Sequence, residues 1–430
     1  MKFKRYEKYK SSDIDWLGEI PEGWENYRIN WISKIVRGNT GFKKDELLDN
    51  GEYIALQYGK TYKVDEINKK FKFYVNNEFF KTDQLVHYGD TILISTSETI
   101  EDLGHSCFYN RNDVGLIGGE QILLKPNNKF IFEKYLYYYS KVFYNELTKC
   151  ASGLKVFRYG TDNLKNIFIP LPSTIEQKQI TTYLDKQTSF IDKKIELLKA
   201  KKQKYTELKK ILISETVTKG LDKNVAMKDS GIEWIGQIPK HWEVKRLKDN
   251  VICFNGGAFK ESLAEEGLPI IKIKQLVSSS NAVEFCNPDS PKINNGNTIQ
   301  SGDLLFSWST LLYPFIYEGS LAVLNQHIFK LKYSKHLHKK FLYYKLIHAT
   351  DCFRSLAHGS TMKHIMKFDF DNLNYSHPAK SEQIAIASYL DEKTSKIDKI
   401  TQTIDKNILA LQEYRKTLIN DVVTGKVKII

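Results

Sequence analysis

The chain has 430 residues, of which 41% are hydrophobic and 13% aromatic, enough for two or more domains with real cores. No apolar run is long enough to cross a membrane, and the opening MKFKRYEKYK lacks the apolar stretch of a signal peptide, so a cytoplasmic protein without membrane contact is expected. A formal net charge of +13 favours a polyanionic partner, while five cysteines (107, 150, 253, 286, 352), odd in number and without a C-x-x-C pair, argue against a zinc site or a disulfide framework.

In chain order, residues 12–25 form a short box, SDIDWLGEIPEGWE, whose Trp16 and Trp24 read as packing residues. A body follows, roughly 25–172. Its segments TILIS and QILLK have strand composition, and KYLYYYSKVFYNELTK reads as an amphipathic helix. Then comes a long helix. Leu184, Ile191, Ile195, Leu198, Tyr205 and Leu212 step by threes and fours, or by sums of them, with Thr188, Lys202 and Lys209 filling the remaining seam positions. That is an a/d stripe over about four heptads, the pattern of a helix packed along another helix. Ser173 and Glu176 form an S-x-x-E capping box, and Lys219-Gly220 closes the far end. At about 1.5 Å per residue the helix is roughly 60 Å long.

The pattern then repeats. The box returns as SGIEWIGQIPKHWE at 230–243, an offset of 218 from Ser12 to Ser230. The helix returns with an offset of 206: Tyr183-Leu184-Asp185 matches Tyr389-Leu390-Asp391, Glu176-Gln177 matches Glu382-Gln383, and Thr188, Ile191 and Asp192 match Thr394, Ile397 and Asp398. The second seam runs Leu390, Thr394, Ile397, Thr401, Ile404, Ile408, Leu411, Arg415 and Leu418. Ala379 stands where Ser173 would be, and Ser381 is the expected cap. Between box and helix lies a shorter, divergent body, 243–379, with strands DLLFSW and HIFKLKY and a helix KKFLYYKLIHATDCF. Matched landmarks are Phe42-Lys43 with Phe259-Lys260, Gly89-Asp90 with Gly302-Asp303, and Ala151-Ser152-Gly153 with Ala357-His358-Gly359. The reading is α+β: residues 1–172 and 228–379 as two globular domains, 173–222 and 380–430 as two long antiparallel coiled-coil helices between them, related by a pseudo-twofold internal repeat.

Catalytic motifs are not evident. Gly59-Lys60-Thr61 is not a P-loop, because the first glycine of G-x-x-x-x-G-K-[ST] would fall on Ile54. Asn287-Pro288-Asp289-Ser290 is not the Asn-Pro-Pro-aromatic signature of adenine methylases, and Glu207-Leu208-Lys209 and Glu243-Val244-Lys245 lack an upstream acidic partner for a nuclease site.

The two I-x-W-[LI]-G-x-I-P-x-x-W boxes, the I-P-L-P-x-x-x-E-Q approach to the first helix and the E-Q-x-x-[IA]-x-x-Y-L-D helix starts resemble the specificity subunits of type I restriction-modification systems along essentially the whole chain. His377-Pro378-Ala379-Lys380 departs from the proline-rich approach to the second helix. The resemblance implies two target recognition domains, each reading one half of a split, asymmetric site in double-stranded DNA. It implies a reader that binds no cofactor itself. Two modification subunits would carry S-adenosylmethionine, and restriction or translocase subunits, where present, would use ATP and Mg. The glycine-led basic loops that recur in both halves are the candidate DNA contacts: Lys43, Lys44, Lys155, Arg158 and Tyr159 in the first body, and Lys260, Lys363, His364 and Lys367 in the second. Arg158 ranks first, since arginine is the usual bidentate reader of guanine. The rival readings are a coiled-coil protein that binds RNA or DNA without sequence preference, and a pure coiled-coil scaffold.

Overall fold

In the computed structural model the long helices run Thr174–Lys219 and Lys380–Val423, close to the expected bounds. The structure describes residues 4–429 apart from Lys63, Glu101, Leu154, Ser279, Val283 and 360–362. Ser173 caps the first helix as foreseen, its Oγ accepting the Glu176 N–H at 3.3 Å. The Glu176 carboxylate, however, accepts the Tyr6 hydroxyl at 2.6 Å, a partner that a local capping pattern cannot reveal. Ser381 falls inside the first turn of the second helix, where the Gln383 N–H donates to the Ala379 carbonyl at 3.0 Å. Both helices stop at glycines in the left-handed region, Gly220 and Gly425, each with φ +76°.

The chain forms two compact units, residues 1–198 with 406–430, and residues 199–405. Each unit is therefore one body plus a segment of both long helices. In the first unit, Leu184, Ile191 and Ile195 share a core with Leu418, Ile419, Val422 and Val423, and Ile408 and Leu411 pack at its margin. Leu17, Ile20 and Trp24 of the box join this core, Trp24 being 2% exposed, which bears out its packing role. Arg415 reaches Asp65 at 3.0 Å and Asp192 at 3.1 Å. Burial would raise the Asp65 carboxyl, but Lys141 and Arg415 outweigh it and hold it at about 2.

In the second unit, Ile213 and Val217 pack with Ile386, Ala387, Leu390 and the box residues Ile235, Ile238 and Trp242. Ile397 and Ile404 are buried. The lysines that interrupt the seam now have a reason: Lys202 pairs with Asp405 and Lys209 with Asp398, each at 2.7 Å. Rising numbers meet falling numbers, so the two segments are antiparallel. These pairs are part-exposed and worth less than about 1 kcal/mol each, so their effect is on register rather than on stability.

The repeated helix residues tie each body to its helix. Gln177 Oε1 accepts the Phe132 N–H at 2.8 Å, while its Nε2 donates to the Phe130 and Pro172 carbonyls. Gln383 does the same with His338, His336 and Pro378. Asp185 accepts the Tyr138 hydroxyl and Lys134, and Asp391 accepts the Tyr344 hydroxyl and Lys340. A conformationally rigid aromatic hydroxyl plus a cation on one carboxylate makes a directional, charge-assisted clamp.

Each body is built on two small sheets, three of the four mixed and the four-stranded sheet of the second body wholly antiparallel. In the first body the order is Ser33–Arg37, Gln121–Pro126, Thr91–Ile94, Ser106–Tyr109, Glu66–Ile67, beside a second sheet of Tyr74–Val75, Tyr53–Leu56, Gly115–Ile117 and Leu85–Val86. In the second body Val251–Asn255, Ile328–Tyr333, Leu304–Ser307 and Tyr313–Ile316 form one sheet, and the strands around Leu268–Ile271 and Ala322–Leu324 the other. The expected strands are present. The first expected helix is Glu133–Lys149. The second is divided into Lys339–His348 and Thr350–Leu356 at Ala349 (φ −70°, ψ −7°), which bends the chain while its N–H still donates to the Lys345 carbonyl and its carbonyl accepts the Phe353 N–H, each at 2.9 Å.

One end of each main sheet gathers several loops. In the first body the Gly38 N–H donates to the Gln121 carbonyl, Gly119 to Thr40, Ser95 to Glu120 and Tyr159 to Ser95, at 2.9–3.1 Å. In the second, Gly256 donates to Ile328, Gly257 to Leu324, Trp308 to His327 and Ile365 to Trp308, at 2.7–3.3 Å. The approach is close enough to demand glycine: a Cβ on Gly38 would lie 1.9 Å from the Gly118 carbonyl oxygen, and one on Gly256 would lie 2.0 Å from that of Asn325. Gly38→Ala and Gly256→Ala should each destabilise the protein by about 1–3 kcal/mol through overpacking, whereas Gly41→Ala, with nothing within 4 Å, should be neutral in the same thermal unfolding assay.

A second consequence concerns Lys345, which is 3% exposed. Its Nζ donates to Ser376 Oγ and lies 5.6 Å from the Trp242 and Phe341 rings. Burial holds this lysine well below its ordinary pKa. The unfolded chain thus binds one more proton than the folded chain between the lowered folded value and about 10.5, so this residue makes stability rise with pH across that window. Lys345→Met should unfold at a higher temperature than the parent at pH 7.5, and the difference should shrink by pH 9.5; an equal difference at both pH values would contradict the account.

Candidate nucleic-acid interface

The gathered loops carry most of the candidate side chains. In the first body Phe42 is buried beneath the turn, its ring 5.9 Å from Phe79, and it leaves the next two residues, Lys43 and Lys44, in solvent. In the second body Phe259 is buried in the same way before the exposed Lys260. In each body a buried aromatic anchor is thus followed directly by exposed lysine.

The other candidates sit on a short ladder. Thr96 and Ser97 pair with Arg158 and Phe157, and Arg158 also exchanges both backbone hydrogen bonds with Ser152 at 2.9 Å. The turn between Ser152 and Arg158 begins at Gly153, whose φ is +121°. Lys155 and Arg158 are exposed, and among the described residues no carboxylate pairs with either side chain. Tyr159 is a correction: at 4% exposure it belongs to the core of its unit and cannot meet a groove. Alternation along a strand sends consecutive side chains to opposite faces, so an outward Arg158 forces Tyr159 inward.

In the second body His364 exchanges both backbone hydrogen bonds with His358, at 2.9 and 3.0 Å, and bridges to Ser309. Gly359 opens this turn with φ +95°. Lys363 is exposed and His364 half-buried. Lys367 is exposed but spends its charge on Asp371, 2.5 Å away along its own short helix.

Several residues at these sheet ends carried no signal in the sequence. Tyr58 and Tyr62 stack at 5.7 Å in the first body, beside Ser97 and the exposed Glu98 and Glu120. Glu120 adopts φ +64°. In the second body Trp308 lies 5.3 Å from His327, and Trp308 Nε1 and His327 Nδ1 are buried with no hydrogen-bond partner among the described residues. These pairs are assembled from segments far apart in the chain, so spacing alone could not have found them.

The chemistry excluded from sequence has structural explanations. Tyr58–Thr61 is a helical turn with Lys60 Nζ 4.4 Å from the Phe73 ring, not a phosphate cradle. Glu243 pairs with Lys245 at 3.0 Å. Burial pushes the Cys107 thiol up to about 12 and raises Cys253, so both stay protonated. Among the described residues no three His, Cys, Asp or Glu side chains gather as a metal site.

Comparison with known proteins agrees with this picture. A family model described as the type I restriction modification DNA specificity domain matches residues 21–207 and 239–410. The MjaVIII specificity subunit of Methanocaldococcus jannaschii is 26% identical over 431 residues, covering 95% of this chain and 94% of the relative. The EcoKI specificity subunit of Escherichia coli is 22% identical over 300 residues, 67% of this chain and 62% of the relative. Among solved structures, a chain from work on complex assembly and conformational transition of the type I R-M system superposes with a TM-score of 0.72 at 15% identity, covering 94% of this chain and 98% of that one. The HsdS subunit of Thermoanaerobacter tengcongensis gives 0.51 at 15% identity, covering 95% and 98%. With two matched copies of the domain spanning most of its length, the chain belongs to the type I restriction-modification DNA specificity family and is a specificity subunit, a non-catalytic DNA-recognition component.

Proposed function

We propose that each body reads one half of a bipartite, asymmetric site in double-stranded DNA, while the boxes and long helices carry two modification subunits. The observation that supports this most is the contrast between repeated and divergent parts. The box tryptophans, the helix glutamines and the Tyr–Asp clamps recur in both copies. Apart from the Phe42-Lys43 and Phe259-Lys260 pairs, the side chains at the gathered loops do not: Arg158 is exposed in one body, whereas in the other Lys363 is exposed and His364 half-buried. Repeated residues fit repeated partners, and unlike residues fit unlike half-sites.

On this reading domains 1–172 and 228–379 are the target recognition domains, and the helices 173–222 and 380–430 are the spacers between them. Exposed lysines would hold phosphates and fix register, and base-edge contacts from residues such as Arg158 would specify sequence. The chain binds no cofactor itself; S-adenosylmethionine belongs to the modification subunits, and ATP and Mg to restriction subunits where these exist. The protein works in the cytoplasm, where its DNA target lies.

The experiment is binding of the complex with its modification subunit to DNA over a range of salt. Log affinity should fall linearly with log salt by roughly 0.9 per neutralised phosphate, with a total slope of at least about five. A flat response would contradict DNA reading. Equal affinity for every sequence would favour the nonspecific nucleic-acid binder.

A further inference from the structure

We infer that Arg158 and His364 occupy one and the same specificity position in the two bodies, and that the first half-site carries a guanine where Arg158 meets it. This rests on the proposed DNA-reading role and adds to it a matched pair of residues and a base.

The equivalence is a matter of backbone connection. Arg158 is paired with Ser152 on one side and Thr96 on the other. His364 is paired with His358 on one side and Ser309 on the other. Ser152 and His358 each precede a glycine with positive φ, Gly153 and Gly359. The residue after each is buried, Tyr159 at 4% and Ile365 at 1% exposure, and its N–H is held by the strand-end residue Ser95 or Trp308. Each side chain therefore leaves a backbone fixed on both edges, next to an inward-facing anchor. Such a mount positions a side chain within the narrow tolerance that base reading demands, which a free loop does not.

The two side chains have different chemistry on this shared mount. Arg158 is exposed, without a carboxylate partner among the described residues, and presents a planar fork of donors that matches guanine O6 and N7. An imidazole at 364 has only two ring nitrogens on opposite sides of the ring and cannot present that fork. The exchange of residue at one address is a direct way for a duplicated domain to acquire two unlike half-sites.

The test uses the full chain assembled with its modification subunit and supplied with S-adenosylmethionine, with methylated sites mapped by sequencing for the parent, Arg158→Ala, Arg158→Lys and His364→Arg. Arg158→Ala and Arg158→Lys should each lose discrimination at a single guanine of the first half-site by about 5- to 150-fold, the discrimination of one bidentate contact, with the second half-site unchanged. The lysine variant keeps the charge, so it separates base reading from phosphate contact. His364→Arg should alter preference at one position of the second half-site only, toward guanine. Uniform loss over all sequences with Arg158→Ala and full rescue by Arg158→Lys would overturn the inference and leave a phosphate contact in its place. An unchanged second half-site in His364→Arg would overturn the equivalence. A parent complex that methylates no defined site would instead overturn the DNA-reading role itself.

Discussion

Everything in this molecule depends on the burial of one apolar seam. Leu184, Ile191 and Ile195 cannot stay in water, and neither can Ile213, Val217 or Leu390; each is covered by a segment of the other long helix and by a body. Each such side chain is worth about 1.5–3 kcal/mol when buried, against less than about 1 kcal/mol for each lysine–aspartate pair. The hydrophobic term makes the helices associate, and the pairs Lys202–Asp405 and Lys209–Asp398 choose the register in which they do so. Because residues 406–430 complete the unit that contains the first body, the fold does not divide at the midpoint of the chain.

The duplication separates the residues kept in both copies from those that differ. Where both copies do the same job, the same atoms do it: Gln177 and Gln383 hold three backbone groups apiece in the same pattern. Where packing alone matters, the solution drifts. In one unit the Tyr135 hydroxyl donates to the Val423 carbonyl at 3.0 Å; in the other Phe341 replaces that tyrosine, and Ser376 Oγ donates to the Val217 carbonyl at 3.4 Å. The buried Lys345, hydrogen-bonded to Ser376, belongs to this second solution. At the gathered loops the backbone and the Phe42-Lys43 and Phe259-Lys260 pairs are kept, and the other candidate side chains differ.

That division also explains what could be read from the sequence. The helix bounds, the strands around Thr91, Gln121, Leu304 and Ile328, the packing of Trp24 and Trp242 and the outward lysines after Phe42 and Phe259 all follow from local periodicity or from repetition. Long-range partners do not. Nothing near Glu176 announces Tyr6, and nothing near Lys209 announces Asp398 beyond the interruption of the seam. Tyr159 was misplaced because its basic neighbours suggested a surface loop, while the strand pairing of Arg158 sends Tyr159 inward. The stacked Tyr58–Tyr62 pair and the Trp308–His327 contact lie at the candidate interface for tertiary reasons alone.

The central claim is that two unlike bodies on one helix pair read two unlike half-sites at a fixed separation. Sequencing the methylated positions in the genome of a host that expresses this chain with its cognate modification subunit measures this directly. The account predicts a single bipartite motif, two different short sequences separated by a gap of constant length. A continuous motif, a palindrome, or methylation without sequence preference would contradict it.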